Sequence, residues 1–153
     1  MKDCLICNRI DKIKQDRNPY IVTELETGYV VVGDYQFFWG YTLFLCKEHK
    51  KELHELESNF KNRFLEEMSL VAEAVYRAFK PRKLNYELLG NTDEHLHWHL
   101  FPRHADDPNP KGPLWQIDKS IRCGDATRPT EEQLTVLKTT LLHELNKLSL
   151  KLK

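Results

Sequence analysis

The chain has 153 residues, 23 basic and 23 acidic side chains, 7 histidines and 4 cysteines. That length suits a single domain, residues 1–153, able to bury a core without a disulfide framework. Balanced charge excludes a global field that would draw the protein to nucleic acid or to an anionic membrane. Without a membrane-spanning apolar run or a signal-peptide core after Met1-Lys2-Asp3-Cys4, the expected setting is cytoplasmic and the expected ligand small.

Cys4-Leu5-Ile6-Cys7 opens the chain, and Ile10 and Ile13 in charged sequence predict a short amphipathic helix ending before Asn18-Pro19. Tyr20 to Leu25 and Tyr29 to Gly33 read as a β-hairpin around Glu26-Thr27-Gly28. Gly33-Asp34-Tyr35-Gln36 reads as a turn, and Trp39 to Cys46 as a third strand with His49 at its exit. From Leu53 the period lengthens: Phe60, Phe64, Met68, Val71, Val75 and Phe79 form one stripe of a long helix, capped by Ser58 or Asn59 and ended by Pro81.

Leu84 to Gly90 predicts another strand, turning through Asn91-Thr92-Asp93-Glu94 into His95-Leu96-His97-Trp98-His99-Leu100-Phe101. Asp106 to Pro113 reads as loop, with no regular element expected before Pro129-Thr130. Thr130 and Gln133 form a capping-box signature, and Leu134, Leu137, Leu141, Leu145 and Leu148 continue as a helical stripe over about 130–150. The stripe suits core packing or a partner surface, with packing on the same domain the simpler reading. The predicted class is α+β: an antiparallel sheet of about five strands, a long helix packed on it and a C-terminal helix.

Two groups of residues carry chemistry. Alternation along a strand puts His95, His97 and His99 on one face and Leu96, Trp98 and Leu100 on the other. From 7 histidines in 153 residues, three at this spacing arise by chance with an expectation of about 0.01. A solvated strand or a His-rich metal tract would also carry such histidines, but neither explains the bulky apolar backing, whereas acid–base, nucleophilic or ligand chemistry uses one. Cys4 and Cys7 are spaced as a zinc half-site, which His49 and His95 complete as a closed Cys2His2 set of structural type. Two buried thiols or a redox pair are the alternatives, the latter lacking a preceding βαβ pattern. His54 and His143 read as solvated helix residues, and His104 is left without a role.

The stretch from His95 to Phe101, followed by Pro102-Arg103, resembles the signature of the histidine triad (HIT) family, His-φ-His-φ-His-φ-φ with φ apolar. Cys4-Leu5-Ile6-Cys7, then Gly40-Tyr41-Thr42-Leu43 leading to Lys47-Glu48-His49, then Leu84-Asn85 leading to Gly90-Asn91 follow the order of that family over about residues 4–104. The resemblance implies a nucleotide-binding α+β domain, usually a homodimer, that hydrolyses or transfers at a nucleotide α-phosphate. It implies that His97 is the nucleophile forming a nucleotidyl-histidine, that His99 hydrogen-bonds the phosphate and that His95 is a zinc ligand, as in zinc-bearing relatives, or otherwise a positioning group. It matches Asn91 to a nucleotide-holding asparagine and Asp34 to a ribose-contacting acid, although both also suit ordinary turns.

Departures from the family pattern lie at three places. The loop before the triad is only Thr92-Asp93-Glu94, whose two carboxylates repel an anionic substrate unless they point away or meet a cation. Tyr41 replaces a usual histidine, and Trp115 lies outside the common core, free to line a pocket or to pack. The expected function is hydrolysis of a nucleoside phosphoanhydride or phosphoramidate, such as a dinucleoside polyphosphate or an aminoacyl-type adenylate. The alternatives are a nucleotide-sensing module with little turnover and a metal-handling protein.

Overall fold

A computed structural model describes residues 4–149. Helix α1 (Leu5–Lys14) precedes strands β1 (Ile21–Glu24), β2 (Gly28–Val32) and β3 (Thr42–Cys46). Helix α2 (Ser58–Phe79) follows, then β4 (Lys83–Glu87), β5 (His97–Arg103), a short α3 (Lys119–Arg122) and α4 (Glu131–Ser149). The five strands form one sheet in the order β1-β2-β3-β5-β4, with every neighbouring pair antiparallel. No helix among the described residues is long and apolar enough to cross a membrane.

Both faces of the sheet are covered, which is why β2 and β3 read as continuous apolar runs and are buried throughout. Val30, Val32, Phe44, Leu84 and Leu100 face α2 and α4. The leucine stripe of α4 is core: Leu137, Leu141, Leu145 and Leu148 are buried in the same cluster as Val71 and Val75 of α2. On the opposite face Tyr29, Val31, Leu43 and Leu45 meet Ile6 and Ile10 of α1. In register, His97 pairs with Leu45 and His99 with Leu43. The α1 face of the sheet is therefore the histidine face.

Several boundaries differ from the sequence reading. The strand begins at His97, so His95 lies just ahead of it, in an irregular segment where Leu96 N donates to the Lys50 carbonyl at 2.8 Å. Residues 88–96 form a long excursion, not a tight hairpin, between β4 and β5. The third strand starts at Thr42 because residues 33–41 make a compact loop tied by the Gln36 side chain, which donates to the Gly33 and Tyr41 carbonyls. Gly33 is needed there, since a Cβ would sit 2.1 Å from the Tyr41 ring.

Glu57 caps α2, accepting from Asn59 N and Phe60 N, and Ser58 is already helical. The region expected to lack structure holds single turns at Leu114–Gln116 and Asp125–Thr127 as well as α3, too short to leave a periodic signature. Reciprocal bonds between Thr130 and Gln133 do form the capping box at the start of α4.

Candidate active site and metal centre

Backbone carbonyls fix which nitrogen of each histidine is free. Because a carbonyl only accepts, His97 Nδ1, 2.5 Å from the His95 carbonyl, must donate its proton, so that in the neutral tautomer the lone pair is on Nε2. By the same argument His95 Nε2, 2.9 Å from the Cys46 carbonyl, is the protonated nitrogen and Nδ1 carries the lone pair. His95 Nδ1 points away from the strand toward Cys4, Cys7 and His49, whereas His97 and His99 line a cavity.

The His97 and His99 rings are 4.6 Å apart in an edge-on arrangement. Burial, followed by the nearby His97, lowers the His99 pKa to about 3, so His99 is neutral across the physiological range. Its Nδ1 lies 2.6 Å from the Tyr41 hydroxyl, and Tyr41, His99 and Phe101 stack with nearly parallel rings. Burial holds the Tyr41 phenol protonated, its pKa raised above the usual tyrosine value. When this O–H donates to His99 Nδ1, the neutral ring carries its proton on Nε2 and offers it as a donor.

The cavity measures about 360 Å³ and runs from α1 past both histidines to α3. At its α1 end Arg9 pairs with both oxygens of Asp34, Nη1 to Oδ1 at 2.8 Å and Nη2 to Oδ2. Each carboxylate oxygen keeps a lone pair for a ligand hydroxyl. Trp115 also lines this cavity and is 63% exposed. A second cavity of about 300 Å³ shares His97 and His99 and is bounded by Asn91, Asp93 and Lys119. Of the two loop carboxylates, Glu94 pairs outward with Lys51 at 2.5 Å and lines neither cavity, while Asp93 lines both.

Cys4, Cys7, His49 and His95 converge, each offering one atom within 4.8 Å of the others. Tetrahedral zinc with ordinary bond lengths requires about 3.3 Å between two imidazole nitrogens and about 3.5 Å between sulfur and nitrogen. Here His49 Nδ1 to His95 Nδ1 is 3.2 Å, Cys7 Sγ lies 3.3 Å from His49 Nδ1 and 3.5 Å from His95 Nδ1, and Cys4 Sγ lies 3.6 Å from His95 Nδ1. Burial and the neighbouring Cys4 push the Cys7 thiol up to about 11, so a cation is what would hold this pair as thiolates. The group fits zinc in donor type, spacing and tautomer.

The sequence reading singled out Cys4, Cys7, His49 and His95, which the structure brings together. His97, His99 and Asp34 line the first cavity, and the exposed Asn91 lines the second. His54 and His143 are exposed, and His104 Nε2 lies 3.3 Å from the Trp39 carbonyl. Arg9, Glu87, Lys119 and Arg122 also reach these cavities but were not singled out from sequence. They lie on three elements, α1, β4 and α3, and only the fold brings them to the histidines.

A five-stranded antiparallel sheet carrying alternating histidines over a cavity defines a histidine triad architecture. The HIT domain profile matches residues 19–106, more than half the chain, and the chain belongs to this family. A search among curated proteins gives no match. Among solved structures, a histidine triad protein from Marinobacter aquaeolei VT8 is similar at 26% identity and TM-score 0.72, over 84% of this chain and 89% of that one. A hypothetical histidine triad nucleotide-binding protein from Sulfolobus tokodaii strain7 matches at 20% identity and TM-score 0.70, over 93% of each chain. A Zn-bound histidine triad family protein from Mycobacterium smegmatis matches at 19% identity and TM-score 0.62, over 93% of this chain and 95% of that one.

Proposed function

We propose that the protein binds a nucleotide and hydrolyses a phosphoanhydride or phosphoramidate at its α-phosphate, with His97 as nucleophile. The observation that carries this reading is the 2.5 Å contact of His97 Nδ1 with the His95 carbonyl, which makes Nε2 the nitrogen available to a ligand in the cavity. His97 Nε2 attacks the α-phosphorus as its bond to the phosphate or amine leaving group breaks and that group departs with the electron pair, giving a nucleotidyl-histidine; water then attacks phosphorus, the phosphorus–nitrogen bond breaks and the nucleotide is released. His99 Nε2–H donates to a non-bridging oxygen as charge builds there. Asp34, oriented by Arg9, takes the ribose hydroxyls in the first cavity, and Asn91, beside His97 and His99 on the second-cavity side, holds the nucleotide through its phosphates.

Cys4, Cys7, His49 and His95 would hold zinc, which with four protein ligands has no open position and supplies structural stability. Nucleotide binding agrees with the description of the Sulfolobus relative, and zinc with that of the Mycobacterium relative. A homodimer has a surface available: β4 is a sheet edge, and Tyr86 and Leu89 beside it are 49% and 61% exposed. Light scattering on the purified protein tests that assembly.

The decisive experiment incubates the protein with a substrate radiolabelled in its nucleotidyl group and quenches in base, where phosphohistidine survives. Label should be recovered on a peptide containing His97 and be absent from His97→Ala. Labelling that persists in the variant rejects His97 as nucleophile. Saturable nucleotide binding without turnover of either substrate class favours the sensing module instead.

A further inference from the structure

The histidines stand between two cavities of different character. The first holds the aromatic stack and the Arg9–Asp34 pair, features suited to a nucleoside. The second is bounded by the 89–93 loop and by Lys119, and besides the histidines its ionisable groups are Asp93 and Lys119. Glu94 faces away to Lys51. Lys119 is exposed and, among the described residues, has no ion-pair partner. It lies on α3, beyond residues 19–106 that match the family profile.

We propose that Lys119 binds the leaving group and selects a phosphoanhydride, whose leaving group is an anionic phosphate chain, over a phosphoramidate with a neutral amine. The proposal rests on the reading of His97 as nucleophile. When His97 Nε2 forms its bond to the α-phosphorus, the bond from phosphorus to the bridging oxygen breaks. Its electron pair stays on that oxygen, adding negative charge to the departing phosphate.

With the nucleoside in the first cavity, the departing phosphate enters the second, where the Lys119 ammonium offsets that charge. Water then attacks phosphorus, the phosphorus–nitrogen bond returns its pair to Nε2, and the proton of water passes to solvent. Without Lys119, Asp93 would face the departing anion alone. An amine leaving group instead requires a proton on its nitrogen and gains nothing from an ammonium beside it. Arg122, one turn further along α3, adds positive charge on the first-cavity side, its Nε anchored to the Ile117 carbonyl at 2.8 Å.

The test compares wild type, Lys119→Ala, Lys119→Arg and Lys119→Glu by titration calorimetry. Its ligands are a methylene-bridged, non-hydrolysable dinucleoside tetraphosphate and the corresponding nucleoside monophosphate. Lys119→Ala should lose about tenfold in affinity for the tetraphosphate, the scale of one charge-assisted hydrogen bond, and less than about twofold for the monophosphate. Lys119→Glu should lose more, and Lys119→Arg should recover most of the affinity.

In turnover, kcat/KM of Lys119→Ala should fall selectively for a dinucleoside tetraphosphate and stay level for a phosphoramidate of the same nucleoside. Equal losses for both ligands, no loss, or a wild type that binds the tetraphosphate no better than the monophosphate overturns the proposal. Selective binding without a His97 adduct would instead remove the hydrolase reading and leave Lys119 as a polyphosphate contact. The two failures are thus distinguishable.

Discussion

The Tyr41 hydroxyl lies 2.6 Å from His99 Nδ1 with the two rings only 14° from parallel, so a residue that departs from the family pattern is the hydrogen-bond partner of the third triad histidine. Tyr41→Phe removes the donor and keeps the stack on Phe101. His99 would then be free to exchange tautomers, and its Nε2 would carry the proton for only part of the time. We expect kcat to fall by about tenfold, the lower range for one positioned proton donor, with KM changed far less. Steady-state kinetics at neutral pH decide this, and an unchanged kcat would show that His99 orientation does not depend on Tyr41.

Metal removal should reach the nucleotide cavity through α1. Cys4 and Cys7 are held at the start of a helix whose Ile6 and Ile10 pack under the sheet, while Leu5, Ile6 and Arg9 form one wall of the first cavity. Cys7→Ser should therefore lower nucleotide affinity as well as the thermal midpoint. A loss of at least 3 kcal/mol, roughly 10 °C for a domain of this size, is expected for breaking a structural zinc site. Arg9→Ala separates the two effects, because it should weaken nucleotide binding without loss of bound zinc measured by emission spectrometry. Full nucleotide affinity in Cys7→Ser would uncouple the helix from the cavity.

The sheet and the two long helices were legible in the sequence because they obey simple periods, from the alternation through His99 to the stripe from Phe60 to Phe79. The convergence of Cys4, Cys7, His49 and His95 was legible through Cys-x-x-Cys spacing and two histidines at strand ends. What alternation could not reveal is that His95 stands outside the strand: the Lys50 carbonyl takes the Leu96 N–H where β3 has already ended. The Arg9–Asp34 pair spans 25 residues, and Lys119 reaches the histidines from a helix of 4 residues, so neither leaves a local pattern. Tyr41 was visible only as a departure from the family, with no hint of its hydrogen bond.

Glu67 on α2 predicts a stability defect remote from the chemistry. It is 3% exposed and accepts from Glu26 N at 3.0 Å, Thr27 N at 2.9 Å and the Thr27 hydroxyl at 2.5 Å, which pins the β1–β2 turn to the helix. Glu67→Leu leaves those donors buried without acceptors. We expect a loss of about 3 kcal/mol, within the range for breaking a buried charged hydrogen-bond network. Glu67→Gln should lose less, since its amide oxygen can still accept. Urea unfolding measures both, and equal stabilities would mean that water replaces the carboxylate.

His99 also gives the fold a pH dependence of predictable sign. Its pKa is about 3 in the folded protein, against an ordinary value near 6.5, because burial disfavours the imidazolium. Below pH 6.5 the unfolded chain therefore binds this proton first. The stability contribution is complete above that pH and is lost progressively as pH falls toward 3. At pH 5 the linkage amounts to about 1–2 kcal/mol after allowance for the partial accessibility of the ring. His99→Asn cannot titrate, so its unfolding free energy should decline less between pH 7.5 and pH 5 than that of wild type, by about that amount. Protonation of Cys4, Cys7, His49 and His95 is common to both proteins and cancels in the difference. Parallel pH profiles would mean that His99 binds its proton alike in the folded and unfolded chain, with no depression by burial, and a steeper decline in the variant would reverse the sign.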